Sequence, residues 1–498
     1  MMARPLPFRL TLRRFVPSAP SRHRRLADWA RLVSTWIALA ALGFFALRYF
    51  KHPLFYFWRG AETSALLCAA AIGACLAWRA RRIAGTRRGR LEAGWRLAAC
   101  LLLLALVAGQ EGGFRWQQYR VRQGGAAMER MGRHFVTGFR DFAEVRPLAE
   151  RGLIGGIYVT RRNLKGESAQ SLRRRIGELQ EARRRAGLPP LFVMADQEGG
   201  EVSLLSPLIE PLPPLATLVA AGAENLEARA RAYGERQGRD LAALGINMNL
   251  SPVVDLKPGE KGDWPDRHTR IERRAIAADP WIVARVASAY GAGLAASGVQ
   301  PTVKHFPGLR RVRGDTHLAK ASQPPDPAAR AADWLPFREV TARTGAAMML
   351  SHVILPDIDP CAPASLSRAL VQDILRKKGG EGWNYQGLLM TDDLNMGAVY
   401  ADGVGRAATA ALDAGVDLVL VSYDPDQYYR ALHAAARAWR GGAIDAGREA
   451  ESAKRLERYW KTPPAAIASP ASLAHSGGSY QVTVNLSWYA KNDRNLDT

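Results

Sequence analysis

Between residues 130 and 460, eight short, apolar, β-rich runs recur at 134–139, 153–160, 191–196, 246–255, 301–306, 346–354, 387–392 and 416–423. Stretches of helical periodicity separate them, among them 168–186, 226–244, 281–297 and 406–414, and several end on a glycine where a helix C-cap would use one. Strand and helix in strict alternation is the pattern of βα units around a parallel sheet. Parallel strands covered on both faces read as unbroken apolar runs, as these do. The predicted fold class is therefore α/β, a TIM (β/α)8 barrel. A doubly wound open sheet is the alternative, and no glycine-rich dinucleotide fingerprint follows any run to favour it.

A barrel makes a further demand: its working residues gather at the C-terminal ends of its strands. The third run ends in Asp196-Gln197-Glu198, the fifth in Lys304-His305, the sixth in Ser351-His352 and the seventh in Thr391-Asp392-Asp393. A single charged residue at a strand end is often a solvated boundary. Four such ends together point to a site.

Before residue 112 the pattern is different. Three apolar stretches, 32–47, 63–78 and 97–110, predict an N-terminal α-helical transmembrane segment ahead of the barrel. Each is shorter than the about 20 residues a bilayer core asks for, so flanking groups must help. Trp36, Tyr56, Trp58, Trp78, Trp95 and Trp116 stand where interfacial aromatics would do so. The formal charge of +23 fits this reading better than a nucleic-acid partner, which is not expected. Arg4, Arg9, Arg13, Arg14, Arg22, Arg24 and Arg25 precede the first stretch, and Arg79, Arg81, Arg82, Arg87, Arg88 and Arg90 follow the second. Positive residues beside spans set orientation. They place 1–31 as a basic cytoplasmic N-terminus, 32–112 as a membrane region with up to three transmembrane helices, 130–460 as the barrel and 463–498 as a C-terminal tail. The location expected is the inner (cytoplasmic) membrane, with the barrel facing the periplasm or exterior. If the third stretch does not cross, the barrel stays in the cytoplasm. A small soluble helical domain is the alternative, and a cleaved signal peptide fits less well because its apolar run would begin late and two more follow.

Of the 4 cysteines, Cys68, Cys75 and Cys100 lie in the apolar stretches and only Cys361 in the large domain. Cysteine alone can build neither a disulfide nor a zinc cluster there. No metal or cofactor is expected.

Five motifs carry the chemistry: "ADQEGG" at 195–200, "SPVVDL" at 251–256, "KHFPG" at 304–308, "GDTH" at 314–317 and "TDDLNMGAV" at 391–399. In content, order and spacing the chain resembles glycoside hydrolase family 3, in its single-barrel β-N-acetylglucosaminidase (β-hexosaminidase) branch. The resemblance spans about 130–460 and implies retaining hydrolysis of terminal β-linked N-acetylglucosamine, from peptidoglycan fragments, with a β-linked amino-sugar glycan as substrate. Retention needs a nucleophile below the anomeric carbon and a proton donor beside the leaving oxygen. The resemblance assigns the nucleophile to Asp392, and Asp393 would orient the loop or cap the next helix. It assigns the acid and base to a dyad of Asp315 and His317. Histidine, with an ordinary pKa of about 6.5, titrates near working pH, and a carboxylate fixes its tautomer. Taken alone, the tripeptide would read as an Asp-Thr turn followed by an exposed histidine. Asp196, Lys304, His305 and Arg274 are implied to bind the sugar, and Arg273 could replace Arg274.

The chain departs from the family pattern at Glu201, where Arg is usual, at Leu309-Arg310, where His-Gly is usual, and at Arg274-Ala275-Ile276 in place of Arg-Ser-Phe. These touch the sugar pocket and the dyad loop more than the reaction. Competing readings are a β-glucosidase or β-glycoside phosphorylase of the same family, and a non-catalytic, membrane-bound sugar-binding protein.

Overall fold

The computed structural model describes residues 22–259, 268–380 and 382–462. The start of the basic N-terminus and the tail 463–498 lie outside the described residues. The chain divides into two compact units, Met1–Gly113 and Phe114–Thr498.

The first unit is built from α1 (Arg22–Arg48), α2 (Arg59–Ile83) and α3 (Arg87–Gln123), the last with its residues from Phe114 in the second unit. They are 27, 25 and 37 residues long. Each helix extends beyond its apolar stretch. The helices run on through flanking Arg, Ala and Leu, all strong helix formers, so the apolar stretch is only the middle of each. Among the described residues three helices are long and apolar enough to cross a membrane, at Trp29–Arg48, Pro53–Ile83 and Arg87–Gln123. A small core of Ala46, Phe50, Leu66, Ala70, Leu103 and Val107 holds them. Lys51, buried, has its Nζ 2.9 Å from the Glu111 carboxylate and donates to Thr63 Oγ1 at 3.1 Å. The outward faces carry Ile37, Phe44, Phe57, Trp58, Ile72, Leu76, Trp95 and Leu102, all exposed. An apolar exterior of this extent marks a surface made to be covered.

In the second unit, among the described residues, eight parallel strands form one sheet: β1 (Phe135–Thr137), β2 (Gly156–Tyr158), β3 (Phe192–Ala195), β4 (Met248–Asn249), β5 (Gln300–Phe306), β6 (Ala347–Leu350), β7 (Leu389–Thr391) and β8 (Val419–Val421). Their order is β7-β6-β5-β4-β3-β2-β1-β8. A parallel bridge between Met390 and Leu418, with Thr391 N–H donating to Leu418 O at 3.0 Å, brings β7 to β8 and nearly closes the ring. One strand falls on each of the eight expected runs. Except for β5, whose 7 residues span its whole run, the strands are shorter than the runs, whose ends pass into the loops.

Side chains alternate along the strands, as the pleat requires. Val136, Tyr158, Met194, Met248, Met349, Met390 and Leu420 fill the interior, whereas Phe135, Ile157, Val193, Met348, Leu389 and Val421 meet the surrounding helices. Helix Leu226–Leu244 matches the expected bounds, and Ala169–Arg185 begins at Ser168, whose Oγ accepts the Ser171 N–H. The last helix, Ala446–Lys461, covers the N-terminal end of the barrel: the Tyr459 and Trp460 rings lie 4.8 and 4.5 Å from that of Phe192. Fully buried Asp417 fastens it, accepting from Arg455 Nε (2.8 Å), Ser452 Oγ (2.7 Å), Arg376 Nη2 (2.7 Å) and Leu389 N–H (2.8 Å). With that end plugged, the opposite mouth is the one open to a ligand.

Candidate active site

At the end of β3 the chain passes Asp196 and turns back through Glu198 and Gly199. Gly199 has φ +94°, and a Cβ there would lie 2.2 Å from Tyr233 Oη and 2.8 Å from Pro213 O, so a side chain fits neither the backbone nor the space. The turn holds Glu198 over the mouth, where it meets Lys304 from the end of β5. Lys304 is 2% exposed, and its Nζ pairs with the Asp196 carboxylate and lies 2.7 Å from Glu198 Oε1. Arg274 forks the same glutamate, Nε to Oε2 at 2.9 Å and Nη2 to Oε1 at 2.7 Å. Two cations and two carboxylates therefore alternate along one wall. Burial pushes the Glu198 carboxyl up, but Arg274 and Lys304 outweigh it and hold the group below the ordinary range. Burial likewise pulls Lys304 down while Asp196 and Glu198 push it above its usual value. The second oxygen of Asp196 accepts the Tyr158 hydroxyl at 2.5 Å.

His305 is fixed by Asp255, which accepts its Nδ1–H at 2.7 Å and its backbone N–H at 3.0 Å. That leaves Nε2 as the acceptor facing Arg274 Nη2 at 3.3 Å, a tautomer assigned from its partners.

The two aspartates ending β7 have separate fates. Asp393 Oδ1 accepts from Asn395 N–H (3.0 Å), Asn395 Nδ2 (2.9 Å) and Ser422 N–H (3.1 Å), and Oδ2 from Ser422 Oγ (2.6 Å) and Tyr423 N–H (2.8 Å). It is a strut tying the loop after β7 to the end of β8. Asp392 donates its N–H to Leu350 O at 2.9 Å and accepts the Asp393 N–H at 2.8 Å. Burial pushes its carboxyl up, yet His305, His352 and His317 around it bring the group below the ordinary carboxylate range. Buried His352 donates Nε2–H to Asp393 O at 3.0 Å and accepts from Ser365 Oγ at 2.6 Å, and burial lowers its pKa.

His317 arrives on the loop after β5. Asp315 Oδ1 accepts its backbone N–H at 2.9 Å, closing an Asx turn, and its Nδ1–H at 3.1 Å. The loop is docked on the segment after β7: Gly397 N–H donates to His317 O at 2.8 Å and Ala398 N–H to Thr316 O at 3.1 Å. A Cβ on Gly397 would lie 2.3 Å from Leu318 O and 2.8 Å from His317 O. The other Asp315 oxygen accepts Nδ1–H of His268 at 2.6 Å, and the His268 and His317 rings stack at 5.5 Å and 29°. Burial raises the Asp315 carboxyl, and His268 together with the His317 N–H outweighs it, so the group sits below its ordinary value.

The seven residues singled out from sequence thus fall at one mouth, Asp196, Arg274, Lys304 and His305 on one wall and Asp392, Asp315 and His317 on the other. Arg273 points outward, its Nη1 2.7 Å from the Glu201 carboxylate, while Arg274 points in. Arg310 and Arg311 each place Nε 2.9 Å from an oxygen of buried Asp333, and Ala275 and Ile276 are buried in the barrel wall. The departures therefore alter wall residues and leave Asp392, Asp315 and His317 in place. Glu198, Asp255 and His352 stood in motifs or at strand ends without a role. Tyr158 and His268 carried no signal, the first inside an apolar strand and the second 47 residues from Asp315. Among the described residues, no three His, Cys, Asp or Glu side chains are grouped to hold a metal ion.

The family model described as "Glycosyl hydrolase family 3 N terminal domain" matches residues 126–458. A β-hexosaminidase of Stenotrophomonas maltophilia is 34% identical over 307 residues, 60% of this chain and 85% of that relative. One of Xanthomonas oryzae pv. oryzae is 34% identical over 293 residues, 58% of this chain and 82% of the relative. Among solved structures, a glycoside hydrolase family 3 β-N-acetylglucosaminidase from a Paenibacillus species superposes with TM-score 0.61 and 32% identity, covering 72% of this chain and 66% of that one. A β-N-acetylhexosaminidase from Beutenbergia cavernae gives TM-score 0.60 and 29% identity, covering 68% and 99%. The chain belongs to glycosyl hydrolase family 3, in its β-hexosaminidase branch, and is a glycoside hydrolase.

Proposed function

We propose that this family 3 hydrolase is a retaining β-N-acetylglucosaminidase that works through a glycosyl-enzyme intermediate on Asp392, with Asp315 and His317 as acid–base dyad. The observation that carries the reading is the division of labour at the end of β7. Asp393 accepts five hydrogen bonds from the scaffold, whereas Asp392 accepts only the Asp393 N–H among the described residues and faces three histidines. A carboxylate held ionised on a rigid strand end, with its outer oxygen uncommitted, suits a nucleophile.

In the first step Asp392 bonds to the anomeric carbon as the glycosidic C–O bond breaks, and His317, protonated at Nε2, gives its proton to the leaving oxygen. In the second, Nε2 takes a proton from water as that water attacks the same carbon and releases Asp392. Asp315 holds the Nδ1–H side of the ring and offsets the positive charge whenever Nε2 is protonated. Asp196, Lys304 and Arg274 bind the sugar's hydroxyls, the two cations being kept from collapsing onto the substrate by Glu198. Incubation with a fluorinated N-acetylglucosaminyl donor that traps the intermediate should add one sugar mass, mapped to the peptide containing Asp392. A label on another residue would overturn the assignment.

The packing of Gly397 gives a second expected result. Gly397→Ala must push the backbone of the His317 loop, and a displacement near 1 Å costs about 10²-fold. Steady-state kinetics should show that loss in kcat with KM little changed, and equal rates would mean that the loop is not held there in solution.

The N-acetylated sugar follows from the relatives named above, and cell-wall fragments are the natural source of such termini for a surface-anchored enzyme. We place 1–31 in the cytoplasm, 32–112 in the inner membrane through α1 to α3, the barrel of 130–460 on the periplasmic or outer side, and 463–498 beyond it as a tail. The positive-inside distribution of Arg79 to Arg90 supports this orientation.

A further inference from the structure

We propose that His268 is a positioning residue of the acid–base machinery, so that the working unit is His268–Asp315–His317 rather than a pair. The inference rests on the dyad reading above and extends it.

A dyad on an exposed loop has a mechanical weakness. His317 is an exposed side chain, and although Asp315 Oδ1 accepts both its backbone N–H and its Nδ1–H, bonds to that one oxygen leave Oδ2 unheld and the ring free to rotate. Here each oxygen of Asp315 is engaged by a different imidazole, Oδ1 by His317 Nδ1–H at 3.1 Å and Oδ2 by His268 Nδ1–H at 2.6 Å. The shorter bond is the one made by the residue without a part in the reaction. It fixes the carboxylate plane, and through it the direction in which His317 Nε2 points. The stacked His268 ring closes one flank of His317 at 5.5 Å, which removes a second rotational freedom. Gly397 and Ala398 hold the loop's backbone on the β7 side, so the ring is braced from two walls.

The position of His268 in the chain adds to this. It lies just ahead of the short helix Ile271–Arg274, which carries Arg274 into the sugar wall. A sugar drawing on Arg274 and a proton donor oriented by His268 are therefore referred to one segment. The neighbouring charges are paired elsewhere: Arg270 lies 3.4 Å from Glu201, and Lys320 lies 2.8 Å from Asp402. His268 is itself exposed at the mouth, so its replacement removes the contact with Asp315 without opening the core.

A group that aims the acid matters when the leaving oxygen needs a proton and hardly matters when it does not. His268→Ala should lower kcat/KM about 10-fold to 30-fold for phenyl β-N-acetylglucosaminide, whose phenolate leaves poorly. For the dinitrophenyl glycoside, whose leaving group departs unprotonated, the change should stay under about 3-fold. KM should stay within about 2-fold for both. His268→Asn, whose Nδ2–H can stand where Nδ1–H stands, should recover most of the phenyl rate. Equal losses on the two substrates, no loss on either, or failure of Asn to recover more than Ala would each overturn the proposal. Asp315→Asn measured on the same pair separates the two layers. If it keeps the full phenyl rate, the dyad reading falls and this inference with it. If it loses that rate while His268→Ala does not, only the role of His268 falls.

Discussion

Asp392→Asn is expected to lower turnover of an aryl β-N-acetylglucosaminide by roughly 10⁴-fold or more, the scale on which loss of a nucleophile acts. The amide is nearly isosteric, and its oxygen can still accept the Asp393 N–H, now at 2.8 Å, so the loop after β7 keeps its shape. The charge is what disappears. Burial opposes that charge while the three histidines favour it, so folding should change little, with Tm within about 2 °C of the parent. The neighbouring substitution is the control. Asp393→Asn replaces an acceptor of five hydrogen bonds by a group with one acceptor oxygen and a donor that faces other donors. It should lower Tm by several degrees. If Asp392→Asn kept even 1% of the parent rate and Asp393→Asn lost all activity at an unchanged Tm, the two roles would have to be exchanged.

That exchange is what sequence alone had little means to decide. Side chains of consecutive residues at a strand end point to opposite sides. One of the pair must enter the mouth and the other must leave it, but only the closure of β7 onto β8 says which. The same holds for Arg273 and Arg274, about 100° apart on a helix turn. Resemblance favoured Arg274, and the fold turns it toward Glu198 while Arg273 goes to Glu201. The strands themselves were legible because a parallel strand covered on both faces has to be apolar along its whole length, and their polar ends were legible because nothing else in an apolar run explains them. Contacts that join distant segments were not. Tyr158 reads as one more core aromatic until β2 and β3 are adjacent, when its hydroxyl meets Asp196. His268 sits outside every motif and becomes visible only when the loops after β4 and β5 converge. The first unit was legible in kind and not in extent, since hydropathy marks the apolar middle of a helix while propensity carries its ends into polar sequence.

His317→Ala should separate the two proton transfers that the single ring is assigned. For phenyl β-N-acetylglucosaminide the acid is missing at the first step, and kcat/KM should fall by about 10²-fold to 10⁴-fold. For the dinitrophenyl glycoside the first step needs no proton, so kcat/KM should stay within about 3-fold of the parent. The second step still lacks its base, so the glycosyl-enzyme should accumulate: a burst of dinitrophenolate equal to the enzyme present, then slow release, with KM falling in parallel with kcat. Azide, a nucleophile that needs no base, should accelerate that slow phase and yield a glycosyl azide of retained configuration. The geometry makes the outcome sharp because the two buried imidazoles at the mouth are committed, while exposed His268 holds Asp315 through its Nδ1–H. His305 gives Nδ1–H to Asp255, and His352 gives Nε2–H to Asp393 O. Neither presents a free N–H where His317 Nε2 faces the mouth. A uniform loss on both glycosides, with no burst and no effect of azide, would place His317 outside the chemistry and return the acid to a group on another loop.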